Sequence, residues 1–240
     1  MNKITQTIFA LLLLHLLVSN LAWATSSLKV EVLNSNTAYN YFSLPNDNES
    51  NRIDLPQLKN AKAYRLFYEK KWTTWSMTVL YAPLEVEYNF TSDKNFKFNN
   101  SNFATNQNTT TTYKFNSYRL GLRKNYSIGS SRFYYGGLLK IRDAKLCVSQ
   151  ASITDCYDNV GPVPLLNAGL ELNGQHFYLH SNVDGLWSSR GSAYDLNIET
   201  GWIFNKYFIG LGFRMLGGGA DNETLVNFAQ FQSIYLSLTI

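Results

Sequence analysis

Some residues in this 240-residue chain have types and spacing that invite chemistry. In His180-Ser181-Asn182 an imidazole adjoins a hydroxyl, the pairing from which a hydrolase activates a nucleophile. On an extended chain, however, neighbouring side chains point to opposite faces. Ser181 is then turned away from His180, and the dyad is broken unless a bulge intervenes. His176 and His180 share a face with Tyr178, Asn182 and Asp184, so the plainer expectation for His180 is a hydrogen bond to Asp184. Asp184, Asp221 and Glu223 lie in the Gly-containing segments 184–191 and 217–223 and could offer oxygens to calcium. Their spacing matches no EF-hand, so turns and solvated charges are expected there, with no metal and no cofactor. Gly217-Gly218-Gly219 lacks the Lys-Ser/Thr and the following helix of a phosphate loop.

Cys147 and Cys156 are nine positions apart, which fits neither the close Cys-x2-Cys spacing of zinc sites nor a thioredoxin motif. In an oxidising compartment they are expected to pair. Closing so short a loop contributes roughly 2–3 kcal/mol in the chain-entropy view.

A larger ionisable set falls on polar faces: Arg65, Glu69, Glu85, Glu87, Arg119, Arg123, Lys140, Arg142, Glu171, Asp195, Glu199 and Arg214. Both signs occur in similar numbers, as charges that neutralise one another in a confined space require.

The elements that must position these groups repeat with period two. Tyr118, Leu120 and Leu122 alternate with Ser117, Arg119, Gly121 and Arg123. Tyr207, Ile209, Leu211, Phe213 and Met215 alternate with Gly210, Gly212 and Arg214, and Ile234, Leu236, Leu238 and Ile240 with Ser233, Tyr235, Ser237 and Thr239. This is the pattern of strands with one apolar and one polar face. About ten are expected, near 27–34, 62–70, 75–90, 113–126, 132–146, 162–173, 175–184, 193–204, 207–216 and 225–240; eight would follow if the first two segments were something else. In the third, the apolar phase moves from Trp75, Met77, Val79 and Tyr81 to Leu84, Val86 and Tyr88, which predicts a bulge at Ala82-Pro83.

Every second connection is tight: 71–74, 127–131, Asn173-Gly174 and Asn205-Lys206. The others are long and polar: 35–61, 91–112, 147–161, 185–192 and 217–224. Short turns at one end and long loops at the other mark a closed antiparallel transmembrane β-barrel. Trp72, Trp75, Phe133, Phe177, Trp202, Phe204 and Tyr207 stand beside the tight turns, as an interfacial girdle would. Gly121, Gly136, Gly169, Gly210 and Gly212 fall on the polar face and leave room for long charged side chains. The inverse arrangement, a soluble calycin-like ligand binder with an apolar interior, is the rival from another class.

Composition agrees. Charged residues are 16% and aromatics 15%, which excludes a disordered chain. Net charge is +4 without a basic stripe, so no nucleic-acid partner is expected. Mean hydropathy of −0.20 excludes a helical membrane bundle but not a barrel, half of whose strand residues face a polar lumen. Residues 1–24 read as a cleaved export signal: Lys3, an apolar run from Ile8 to Val18, and Ala22-Trp23-Ala24. Residues 25–240 are then the barrel.

Several segments resemble an uncharacterised family of Gram-negative outer-membrane barrels: Tyr81-Ala82-Pro83-Leu84-Glu85, Phe115-Asn116-Ser117-Tyr118-Arg119-Leu120, Lys140-Ile141-Arg142-Asp143-Ala144, Asp158-Asn159-Val160-Gly161, and 216–222. The resemblance spans residues 75–240. It implies a barrel in the cell outer membrane and brings no activity. Such barrels usually end in Phe or Trp, whereas this chain ends in Ile240. The expected protein is a monomer with a side-chain-filled charged lumen and a structural or surface-interaction role. Its expected partners are outer-membrane lipid, lipopolysaccharide and the barrel-assembly machinery. The alternatives are a lipid-modifying enzyme, similar to outer-membrane lipid A deacylases that use a His-x-Ser pair, or a narrow pore.

Overall fold

A computed structural model describes residues 24–45, 52–189, 191–221 and 225–240. The export-signal reading of 1–24 therefore lies almost wholly outside the described residues, as does Glu223. The strands in chain order are β1 (Thr25–Ser43), β2 (Ile53–Asp54), β3 (Ala61–Lys71), β4 (Trp75–Ala82), β5 (Glu85–Thr91), β6 (Phe96–Phe98) and β7 (Ser101–Phe103). They continue with β8 (Asn108–Ile128), β9 (Ser131–Gln150), β10 (Ile153–Asn173), β11 (Phe177–Ser188), β12 (Gly191–Phe204), β13 (Tyr207–Asp221) and β14 (Val226–Thr239).

Each long strand pairs antiparallel with its sequence neighbours, and β14 pairs with β1 to close the sheet into a barrel of ten strands. β4 and β5 count as one strand. Both pair with β8 in a single unbroken register, from Trp75 opposite Lys124 to Thr91 opposite Asn108. The bulge expected at Pro83 is absent. Even-numbered residues keep facing inward through the proline; what changes is the interior, from polar to apolar.

The four tight turns expected from sequence all lie at one end, with Leu28 and Ile240 bonded to each other there. Asn205 (φ 53°) and Gly129 (φ 60°) take the left-handed conformation those turns require. At the other end the structure departs from expectation. The segments read as long polar loops are largely strand. β9 and β10 run on to Gln150 and Ile153, leaving a two-residue turn where a loop over 147–161 was expected. β-branched residues such as the run Thr109–Thr112 favour that extension.

Outside, Leu120, Leu122, Leu139, Ile198, Leu211, Phe213, Ile234 and Leu236 are exposed around the wall, with Trp75, Phe133, Phe177, Trp202, Phe204 and Tyr207 exposed beside the tight turns. An exposed apolar belt running around the wall and capped by aromatics is stable only in lipid. The protein is an outer-membrane barrel, and the calycin-like alternative, which needs a polar outside, is excluded.

The interior has two compartments. Within the belt it is polar and charged. Beyond the belt Phe42, Leu84, Val86, Phe98, Phe103, Val148 and Phe231 form an apolar core. The β6–β7 hairpin folds into this core, with Phe42 and Phe98 in edge contact at 5.2 Å and Phe96 stacked on Phe103 at 5.1 Å.

Candidate functional site

The charged interior is organised in tiers that cross the barrel. Nearest the tight turns, Arg132 on β9 reaches Glu69 on β3 through both terminal nitrogens, at 2.9 and 3.1 Å. Its Nε donates to Glu171 on β10 at 3.0 Å. Lys71 lies 3.4 Å from both carboxylates, and Arg123 lies 3.8 Å from Glu69. Such two-pronged guanidinium–carboxylate geometry is the strongest form of this contact.

The next tier joins β1, β3 and β12. Lys29 sits between Glu199, at 3.2 Å, and Glu31, at 3.5 Å. Arg65 is paired with Glu31 at 3.0 Å and donates to Asn197 at 2.7 Å. Tyr178 donates its hydroxyl hydrogen to Glu199 at 2.8 Å.

The third tier is centred on Asp195, which is 1% exposed and so depends wholly on its partners. Arg214 donates to it twice, each at 2.8 Å, and Arg119 pairs with it at 2.7 Å. The other arm of Arg119 binds Asp184 on β11, which Asn167 also contacts.

Small residues make room for this packing. A Cβ on Gly212 would lie 2.2 Å from the Tyr235 ring, and one on Gly169 would lie 2.3 Å from the Tyr134 hydroxyl. These tyrosines lie against glycines of adjoining strands, in space that a side chain there would occupy. Between the tiers, the space bordered by Lys29, Arg65, Arg123 and Asn182 is about 30 Å³, room for a few water molecules.

Of the charged residues expected in the lumen, Arg65, Glu69, Arg119, Arg123, Glu171, Asp195, Glu199 and Arg214 join these tiers. Lys140 is buried and faces inward but lies above them, with its ammonium 4.4 Å over the Phe115 ring. Arg142 stands half-buried at the mouth of a cleft. Glu85 and Glu87 are a correction. Both are exposed on the outer face, because the unbroken register through Pro83 keeps odd-numbered residues outward. The partners of Arg119 come instead from the opposite wall. Lys29, Glu31, Lys71, Arg132 and Asp184 complete the network without having been assigned to it. Their alternation with outward apolar residues was the available signal; Glu31, for example, lies between Val30 and Val32.

His180 faces the lumen, but its partner is the Tyr134 hydroxyl at 2.8 Å, not Asp184. Ser181 lies on the opposite face of β11, as the alternation of the strand dictates. No nucleophile–base pair forms there. Asp184 is held inside by Arg119 and does not meet Asp221 at the rim.

Cys147 and Cys156 are disulfide-bonded. They are directly opposite partners in the β9–β10 ladder, so the bridge ties two strands rather than closing a loop. At the tip of that hairpin Asp155 accepts hydrogen bonds from the Asn99 side chain at 2.9 Å and the Asn100 backbone at 3.0 Å. Burial pushes the Asp155 carboxyl up, but these and neighbouring hydrogen bonds outweigh it and hold the group below its ordinary value.

No protein family and no curated protein matches the chain in sequence. Solved structures match it in fold. The outer-membrane protease OmpT of Escherichia coli aligns with a TM-score of 0.57 at 7% identity, over 90% of this chain and 97% of its own. Ail, the attachment invasion locus protein of Yersinia pestis, aligns with a TM-score of 0.42 at 10% identity, over 90% of this chain and 100% of its own. Neisserial surface protein A gives 0.36 at 10% identity, over 90% and 97%. At these identities the likeness to OmpT is one of fold alone: a closed outer-membrane barrel.

Proposed function

We propose that this protein is a sealed, non-enzymatic outer-membrane barrel whose role is structural or surface-interacting and is carried by the lobe beyond the membrane. The observation that carries this reading is the interlocked lumen. Guanidinium and carboxylate groups from strands far apart in the sheet meet in the interior, and the gap between tiers holds only a few waters. Such a lumen supports the plug over the pore. The uninterrupted strands and the apolar core above the belt fit a rigid platform presented outside. The monomer, its contacts with outer-membrane lipid and lipopolysaccharide, its assembly by the barrel machinery, and membership of the uncharacterised family that residues 75–240 resemble belong to the same reading.

The enzyme alternative loses its main support, since His180 bonds to Tyr134 and Ser181 faces the other way. Conductance across planar bilayers tests the proposal. The expected result is no steady current from the purified barrel. Large, stable single-channel currents would replace the plug with a pore.

A further inference from the structure

The wall of the barrel has a gap in its outer half. β10 pairs with β11 from Asn173 opposite Tyr178 up to Leu166 opposite Gly185, and the ladder ends there. On its other edge β10 stays paired with β9 as far as Ile153. Residues 153–165 therefore lack a partner on the β11 side among the described residues. An unpaired edge invites another strand, and Pro162 and Pro164 place two residues without an N–H in this stretch.

Behind the gap lies a cleft of about 940 Å³. Lys140 and Arg142 reach it from β9, and Ser188, Ser192 and the Gly217–Gly219 run border it from the other side. Lys140 is only 2% exposed, yet among the described residues no carboxylate forms an ion pair with it. Arg142 Nε is buried without a hydrogen-bond partner among the described residues. The charges that act on Lys140 are Arg119, Arg214 and Arg142 against Asp195. Asp195 is already bound by Arg214 and Arg119. Positive charge therefore accumulates in the cleft, and among the described residues the carboxylate that borders it, Asp221, is exposed and pairs with neither cation. Elsewhere in this lumen each cation tier has its carboxylates, and a buried charge without a partner is costly.

We infer that this cleft binds a phosphate-class anion between Lys140 and Arg142, reached through the gap between β10 and β11. The anion can come free from solution or as the headgroup of a membrane amphiphile, and the position of the gap favours the amphiphile. Lys114 and Asp143 form an ion pair at 2.9 Å on the outer face, which marks the upper edge of the apolar belt. Asp143 is opposite Val160, so the gap opens at headgroup depth. Val160, Leu166 and Trp187, at 65%, 70% and 69% exposure, line its outer side where an acyl chain would lie. The inference rests on the placement in the membrane but not on the sealed lumen, so a conducting barrel would leave it standing.

Native mass spectrometry of the full barrel tests it, with dioleoylphosphatidic acid, dioleoylphosphatidylcholine and inorganic phosphate as probes. The expected result is retention of phosphatidic acid roughly tenfold above phosphatidylcholine, and loss of that preference in Lys140→Gln/Arg142→Gln. Competition by inorganic phosphate identifies a headgroup site open to the free anion. Retention that phosphate does not disturb identifies a site that also needs the chains. Equal retention of both lipids with no phosphate binding, or an unchanged preference in the double variant, would overturn the inference. The variant loses no ion pair, so its folded band in unboiled gels should persist. If it does not, Val163→Trp, which fills the cleft beside Lys140 while keeping both cations, must abolish the preference instead; a Val163→Trp barrel that keeps it refutes the site.

Discussion

Replacing Arg119 by Ala gives the sharpest energetic consequence of the interlocked lumen. The guanidinium is 4% exposed and joins Asp184 to Asp195, while its Nε donates to Ser117 at 3.0 Å. Removing one partner of a buried ion pair costs about 3–5 kcal/mol, because the other charge is left without compensation. The two aspartates suffer unequally. Asp195 keeps both hydrogen bonds from Arg214, whereas Asp184 retains only amide donors, Asn167 and Asn182. The cost should therefore lie near the lower end, about 3 kcal/mol, which is roughly a hundredfold in the folded-to-unfolded ratio. Adding Asp184→Asn removes the stranded charge and should restore part of the loss, a coupling of about 0.5–3 kcal/mol. The assay is urea unfolding in detergent micelles, followed by the folded band in unboiled gels. Glu85→Gln, on the exposed face, is the control and should fall within about 0.5 kcal/mol of wild type. If Arg119→Ala and Glu85→Gln unfold together, the ion-pair network does not hold the barrel and the reasoning fails.

Further predictions concern packing, covalent structure and pH. Gly212→Ala should force the Tyr235 ring from its place and lower stability by about 1–3 kcal/mol, measured by the same unfolding assay; an unchanged midpoint would contradict the close approach. Non-reduced peptide mapping should recover Cys147 joined to Cys156, and Cys147→Ser should still insert, since the bridge lies in the β9–β10 extension; free thiols in protein prepared without reductant would refute the pairing. Because the Asp155 pKa is depressed in the fold, the stabilisation it gives is complete above its unfolded value of about 3.8 and is lost as pH falls through the lower folded one. Protection of the Asn100 amide, its exchange rate relative to an unstructured chain at the same pH, should be lost only in that acid range, and Asp155→Asn should abolish the dependence.

The barrel was legible because its determinants are local. Strand alternation, Asn205-Lys206 and the aromatics at the tight-turn end are set by neighbours in sequence. Eight of the lumen charges followed from parity alone. What sequence did not show depends on which compartment a strand is crossing. Inward-facing Leu84 and Val86 look like a phase slip if the whole interior is taken as polar. They are in phase with Ser76 and Thr78, but lie above the belt, where inside is apolar and outside is wet. That reversal turned Glu85 and Glu87 outward. It also made strand extensions read as loops, since their polar residues face water. The pairing of Arg119 with Asp184 and Asp195 is set by the distance across a closed barrel, which no single strand encodes. The gap beside β10 has the same origin, because it depends on where two ladders end.

The central claim is a lipid-facing wall around a filled interior, and spin labels placed singly along β14 in vesicles test it most directly. Ile234, Leu236 and Leu238 are exposed on the outer face, while Ser233, Tyr235 and Ser237 are buried inside. Labels at 233–238 should collide with oxygen in a period-two pattern that peaks at the even positions. A water-soluble nickel complex should be excluded from both sets. Nickel access at 233, 235 and 237 would mean an open channel, and nickel access at 234, 236 and 238 would mean that the apolar face is not in a membrane.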